Sequence, residues 1–191
     1  MGVRPWKVLG SERLDGTSLF GFRRDHVVSP RTGKEHPVYV LEAPDWVNVI
    51  PITPQKDVVF VRQWRHGVRE VTLEIPGGVV EAGDSVEQAA RRELIEETGY
   101  TAQSFVDLGY TFPNPAIQNN RCYTFVALHA VPHTDPDLDA MEDIEVVVHA
   151  LKDVPGLVKE GKISHALIVA AFWKFFLWSG DSNLLEAVCS S

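Results

Sequence analysis

Residues 77–100 read GGVVEAGDSVEQAARRELIEETGY, and no other stretch restricts the fold of this chain so tightly. A Pro-Gly-Gly turn at Pro76, Gly77 and Gly78 leads through a short loop into helix formers over residues 85–98, which halt at Gly99. Asp84 stands at the N-cap position with Glu87 three residues on, a capping-box pattern that satisfies the amide donors left open at a helix start. Gly99 supplies the left-handed residue that ends helices. Glu93, Glu96 and Glu97 fall at i, i+3 and i+4, so three carboxylates share one helix face. Like charges that close repel, and two arrangements relieve them: a solvated surface with Arg91 and Arg92 as partners, or divalent cations gathered by oxygen ligands.

Gly78, Arg92, Glu93, Leu94, Glu96, Glu97, Gly99 and Tyr100 fall in register with the box of the Nudix hydrolases, which the chain resembles. One position departs: Asp84 stands where the family carries Glu, and helix capping accounts for an Asp there. The resemblance implies an α/β fold, a Nudix α/β/α sandwich with a mixed sheet. It implies hydrolysis of a nucleoside diphosphate linked to another group, with Mg²⁺, or Mn²⁺ in its place, as cofactor. The implied metal ligands are Glu93, Glu96, Glu97 and the backbone carbonyl of Gly77, with Arg92 orienting the carboxylates. Glu96, Glu97 and Glu142 are the implied catalytic carboxylates, because the family does not keep its general base in one place.

Arg62, Gln63, Trp64 and Arg65, just ahead of the box, are similar to a run in the ADP-ribose pyrophosphatase branch, in which an arginine reaches the substrate's phosphates. Arg65 and then Arg62 take that role, against the alternative of a salt-bridged strand edge. Glu74 either binds a substrate ribose, holds an arginine, or faces outward from its strand. Pro115 occupies the loop position associated in this branch with ADP-ribose and related substrates, but Gln118, Asn119 and Asn120 are neutral where many relatives carry an acid. The implied partner is a small nucleotide sugar. The alternatives are a GDP-sugar or broad nucleotide-sugar hydrolase, and, from another class, a Nudix-fold sensor that binds nucleotide without cleaving it.

Apolar runs at residues 6–9, 19–28 and 37–41, separated by turn residues, predict a small antiparallel β module over residues 1–44. Three strands are too few to hold a core alone; in the ADP-ribose pyrophosphatase branch such a module crosses to a second subunit, which implies a homodimer. Residues 45–180 form the predicted catalytic domain, with strands at 46–52, 58–64, 71–75, 105–111, 121–129 and 146–150, and helices at 154–160 and 164–178. Residues 131–141 are polar and proline-bearing, a candidate lid, and His165 reads as structural. Residues 181–191 are a predicted tail.

The 18 Lys and Arg against 26 Asp and Glu give a net charge of −8, and the basic residues are scattered, which argues against nucleic acid as a partner. Cys122 and Cys189 offer neither a disulfide framework nor metal-ligand spacing, so a reducing cytoplasm is the expected setting. No apolar run reaches the length of a membrane span.

Overall fold

The computed structural model describes residues 2–17 and 19–180; the predicted tail and Cys189 lie outside the described residues. The chain divides into two compact units, one formed by residues 1–44 with 112–121, the other by residues 45–111 and those from 122 on.

In the first unit, β1 (Lys7–Gly16), β2 (Gly21–Val28) and β3 (Glu35–Glu42) form an antiparallel sheet in that order. β1 continues past Gly10, where the sequence reading stops it, because a register shift between Val8 and Gly10 absorbs the glycine without ending the pairing. The sheet carries ion pairs, Arg23 joining Asp25 and Glu42, and Arg24 joining Glu12. Residues 112–121 join this unit through backbone bonds to β3: the Leu41 N–H donates to the Ile117 carbonyl at 2.7 Å. Asn119 Oδ1 accepts from the Ala43 N–H at 3.2 Å, and Asn120 Nδ2 donates to the Pro44 carbonyl at 3.0 Å. The neutral amides here therefore bind backbone, a task that needs a short side chain with the right polarity rather than a charge.

The second unit is built on a six-stranded mixed sheet. Its strands are β4 (Trp46–Ile52), β5 (Asp57–Arg65), β6 (Glu70–Glu74), β8 (Ser104–Thr111), β9 (Cys122–Leu128) and β11 (Ile144–Ala150). The order is β11-β5-β4-β9-β8, with β6 also on β5; β4 and β9 run parallel and the other pairs antiparallel. β4 is buried on both faces, which is why it reads as a largely apolar run rich in Val and Ile. Val47 and Val49 pack with Phe125, Ala127 and the Ala89, Ala90 and Leu94 face of α1 (Val86–Thr98). Ile50 and Ile52 point the other way, with Phe60 and Val126, onto Ile168, Phe172 and Phe176 of α3 (Ala166–Ser179). Alternation along one strand thus sets a helix on each side of the sheet. A 3-10 turn (Leu151–Asp153) and α2 (Val154–Lys159) complete the α3 side. No helix among the described residues is long and apolar enough to cross a membrane.

The start of α1 differs from the sequence reading. Ser85, not Asp84, is the N-cap: its Oγ accepts from the Gln88 N–H at 3.2 Å, and Gln88 Oε1 accepts from the Ser85 N–H at 2.8 Å. Both residue types cap well, and the helix begins one residue later, so the capping box closes on Gln88 while Glu87 pairs with Arg91 at 2.8 Å. Gly99 ends the helix at φ 70°. Here a β-carbon would come within 2.1 Å of the Thr134 carbonyl oxygen, so this glycine is required for packing as well as conformation. His133 and Thr134 donate their N–H groups to the Gly99 carbonyl at 2.8 and 3.0 Å, and Asp137 donates to that of Glu96 at 2.9 Å. The short pair β7 (Tyr100–Thr101) with β10 (Val131–Pro132) adds to this, so the polar segment considered as a lid is tied at its start to the end of α1.

Ser85→Ala is expected to lower the unfolding free energy by about 0.5–2 kcal/mol in denaturant titrations. Asp84→Ala should lower it by less than about 1 kcal/mol, the range of a partly exposed ion pair. The opposite ranking would return the cap to Asp84.

Candidate active site

The turn between β6 and α1 is pressed onto β4. Val49 and Val47 donate their N–H groups to the carbonyls of Pro76 and Gly78, both at 2.9 Å. A β-carbon on Gly77 would lie 2.3 Å from the Val47 carbonyl oxygen, and one on Gly78 would lie 2.4 Å from Glu93 Oε1. Gly77 has no room for a side chain and one on Gly78 would displace the Glu93 carboxylate, so the two glycines bring bare backbone against the carboxylates of α1. The Gly77 N–H donates to Glu97 Oε2 at 2.9 Å, which fixes that carboxylate to the turn.

Glu93 and Glu97 face inward, 7% and 3% exposed. Glu96 is half-buried beside them. Arg92 Nη1 donates to Glu93 Oε1 and to Glu96 Oε2, both at 2.9 Å, and its Nη2 donates to the Val79 carbonyl at 3.0 Å. Asp84 Oδ2 lies 3.5 Å from Arg92 Nε. One guanidinium does not neutralise this group. Burial pushes Glu93 from an ordinary 4.5 up to about 7, against the pull of Arg92, with Glu96 and Glu142 adding repulsion. Burial pushes Glu97 up to about 8, opposed by the Gly77 N–H and reinforced by Glu93 and Glu142.

Among the described residues, no three His, Cys, Asp or Glu side chains converge as a closed metal cage. The donor set instead fits a hard divalent cation of the Mg²⁺ kind, which takes one or two carboxylates and completes its shell with water and substrate phosphate. Two buried carboxylates whose charge is under-compensated, one helical turn apart against exposed backbone, are such a set.

A cavity of about 550 Å³ adjoins the turn, with Trp46, Asn48, Arg65, Glu74, Gly77 and His165 in its wall. Arg65 grips Glu74 through two bonds, Nε to Oε1 at 2.8 Å and Nη2 to Oε2 at 2.7 Å, and Thr72 Oγ1 donates to Glu74 Oε1 at 2.6 Å. Burial alone would raise the Glu74 pKa, but the hydrogen bonds from Arg65 and Thr72 hold it below the ordinary value. Of the roles left open for Glu74, the structure shows it holding an arginine. Its oxygens are occupied, and it orients the guanidinium at the cavity wall.

The other predicted residues are placed differently. Arg62 lies outside the cavity wall and pairs with Glu145 at 3.3 Å, both side chains largely exposed, the salt-bridged edge considered from sequence. Pro115 sits in a turn of the first unit and is not among the cavity's lining residues. Glu142 is exposed and accepts from the Asp139 N–H at 3.0 Å, yet its charge acts on Glu93, Glu97 and Arg65. Sequence reasoning missed Asn48, buried at 5% with Oδ1 lacking a hydrogen-bond partner. Its signal was available: a lone amide in an otherwise apolar strand.

The raised carboxylate pKa values carry a sign. Between about pH 4.5 and pH 8 the folded state keeps a proton on Glu97 that the unfolded chain has lost, so metal-free protein loses stability as pH rises through that window. Thermal melts in EDTA should show this fall, and Glu97→Gln should make it shallower. Parallel curves for the two proteins would contradict a burial-driven shift.

Comparison with known proteins agrees with this geometry. The NUDIX domain model matches residues 43–172. The chain is 28% identical over 161 residues to an ADP-ribose pyrophosphatase of Bacillus subtilis (strain 168), covering 84% of this chain and 86% of that protein. It is 26% identical over 166 residues to a methanol dehydrogenase activator of Bacillus methanolicus, covering 86% and 89%. A crystal structure of an ADP compounds hydrolase superposes with a TM-score of 0.84 at 21% identity, over 96% of this chain and 99% of that one, a likeness of fold. With its box folded as a glycine turn locked to buried helix carboxylates and the domain matched over most of its length, the chain belongs to the NUDIX domain family and is a Nudix hydrolase.

Proposed function

We propose that the enzyme hydrolyses the pyrophosphate bond of ADP-ribose or a related nucleoside diphosphate sugar, giving a nucleoside monophosphate and a sugar phosphate. The observation that carries this reading is the buried Glu93–Glu97 pair, fixed to the Gly77 turn beside a cavity that presents Arg65. Relatives named as ADP-ribose pyrophosphatases, the Bacillus subtilis protein among them, support the choice of substrate class.

Glu93, Glu97 and the Gly77 carbonyl would hold Mg²⁺ or Mn²⁺, with Glu96 joining on release from Arg92. Such a cation supplies charge for the pyrophosphate oxygens and lowers the pKa of a bound water. Arg65, held by Glu74, binds a phosphate. Arg92 holds Glu93 and Glu96 in place through its hydrogen bonds to both. Attack of water oxygen on phosphorus breaks the bridging P–O bond, and Glu96 or Glu142 takes the water's proton. The reading places the enzyme in the cytoplasm, as expected from its cysteine usage. A homodimer completes the reading: Phe22 and Tyr39 lie exposed on one face of the first unit's sheet, apolar surface suited to a second copy.

Hydrolysis of a panel containing ADP-ribose, GDP-mannose, UDP-glucose, NADH and diadenosine polyphosphates, with products identified by mass, tests this directly. ADP-ribose should yield AMP and ribose 5-phosphate in the presence of Mg²⁺ and nothing in EDTA. Preference for another sugar nucleotide would move the specificity, and binding without cleavage would make the protein a sensor. Glu97→Gln should lower kcat by at least about a hundredfold, the scale of a lost metal contribution of several kcal/mol. Near-normal turnover of that variant at saturating Mg²⁺ would remove Glu97 from the site.

A further inference from the structure

His165 does more than its place at a helix start requires. As N-cap of α3, its Nδ1 accepts from the Leu167 N–H at 3.2 Å. A backbone amide can only donate, so Nδ1 carries no hydrogen and the neutral ring must hold its single hydrogen on Nε2. The cap therefore fixes the tautomer. The half-buried ring lines the same cavity as Arg65 and Glu74.

Arg65 uses Nε and Nη2 on Glu74, which leaves its Nη1 without a partner among the described residues. Glu74 is 2% exposed and already accepts from Arg65 and Thr72, so it offers little to a ligand. Ile75, Leu167 and Ile168 supply apolar surface. Beside Glu70, His66, Ser164 and the Asn48 amide, this wall offers a ligand the donors of Arg65 and His165, at the N-terminus of a 14-residue helix whose dipole favours negative charge.

We infer that His165 is a substrate-positioning residue, whose Nε2–H donates to a phosphoryl oxygen of the substrate held by Arg65. This rests on the pyrophosphatase reading for the identity of the substrate. The assignment deepens that reading by giving the phosphate a second donor from the opposite end of the domain sequence. It also explains a histidine at an N-cap, a position where Ser, Thr, Asp or Asn would cap as well or better.

The test uses His165→Asn, whose amide oxygen still caps α3 but whose reach into the cavity is shorter. Calorimetric titration of ADP-ribose and of inorganic pyrophosphate in EDTA reads binding without turnover. The variant should melt with the wild type yet bind both ligands about tenfold more weakly, the effect of one lost charge-assisted hydrogen bond. In the Mg²⁺-dependent assay its KM should rise with kcat little changed. Unchanged affinity and KM in a stably folded variant would leave His165 a cap and overturn the inference. Weaker ADP-ribose binding with unaltered pyrophosphate binding would overturn the phosphoryl contact in favour of a sugar hydroxyl. Wild-type protein that turns over nucleotide sugars but binds neither ligand in EDTA would overturn it while sparing the proposed function; absence of both turnover and binding would overturn the two together.

Discussion

The hydrogen bond from the Gly77 N–H to Glu97 is the contact on which the site depends. It ties the C-terminal half of α1 to the turn that precedes the helix, across the whole of its own sequence. Gly77 lies against the backbone of β4, where a side chain would not fit, and Gly78 lies against the carboxylate of Glu93. Because β4 sits in the middle of the sheet and is buried on both faces, the turn rests on the most rigid part of the domain. Rigid support is what holds two like charges in place when they would otherwise separate.

Electrostatics explains the rest of the arrangement. Burial and mutual repulsion leave Glu93 and Glu97 short of positive charge, and Arg92 makes good only part of the deficit. A second arginine, Arg65, is committed to Glu74, a pairing that satisfies the carboxylate and leaves a guanidinium edge for a ligand. The first pair needs a cation and the second offers one. A divalent cation would meet the first need and a substrate phosphate the second, so this charge pattern suits a pyrophosphate with its cation better than a neutral ligand.

The helix, its glycine stop and the strand order of apolar runs were legible in the sequence because each depends on local spacing. Asp84 and Ser85 are both good caps, so local chemistry could not choose between them; the choice follows from which residue lets Gln88 close the box. Residues 112–121 were read as a connection between strands, yet they pair with β3, a long-range backbone contact with no local signature. The cavity was the least legible feature. Asn48 and His165 come from distant parts of the chain, and only the packing of β4 against α3 sets them in one wall. Arg62 and Arg65 look equivalent in sequence. Their separation follows from alternation along β5: Arg62 pairs with Glu145 of β11, whereas Arg65, three residues on, faces the other side and reaches Glu74 of β6.

The central claim is that the turn-locked carboxylates of α1 form a cation site. Electron paramagnetic resonance of Mn²⁺ added to substrate-free protein tests it most directly, because the signal of bound ion is read without reference to any reaction. The account predicts a bound Mn²⁺ signal in the wild type that is lost in Glu93→Gln and Glu97→Gln and displaced by excess Mg²⁺. Equal Mn²⁺ binding by folded wild type and both variants would contradict it.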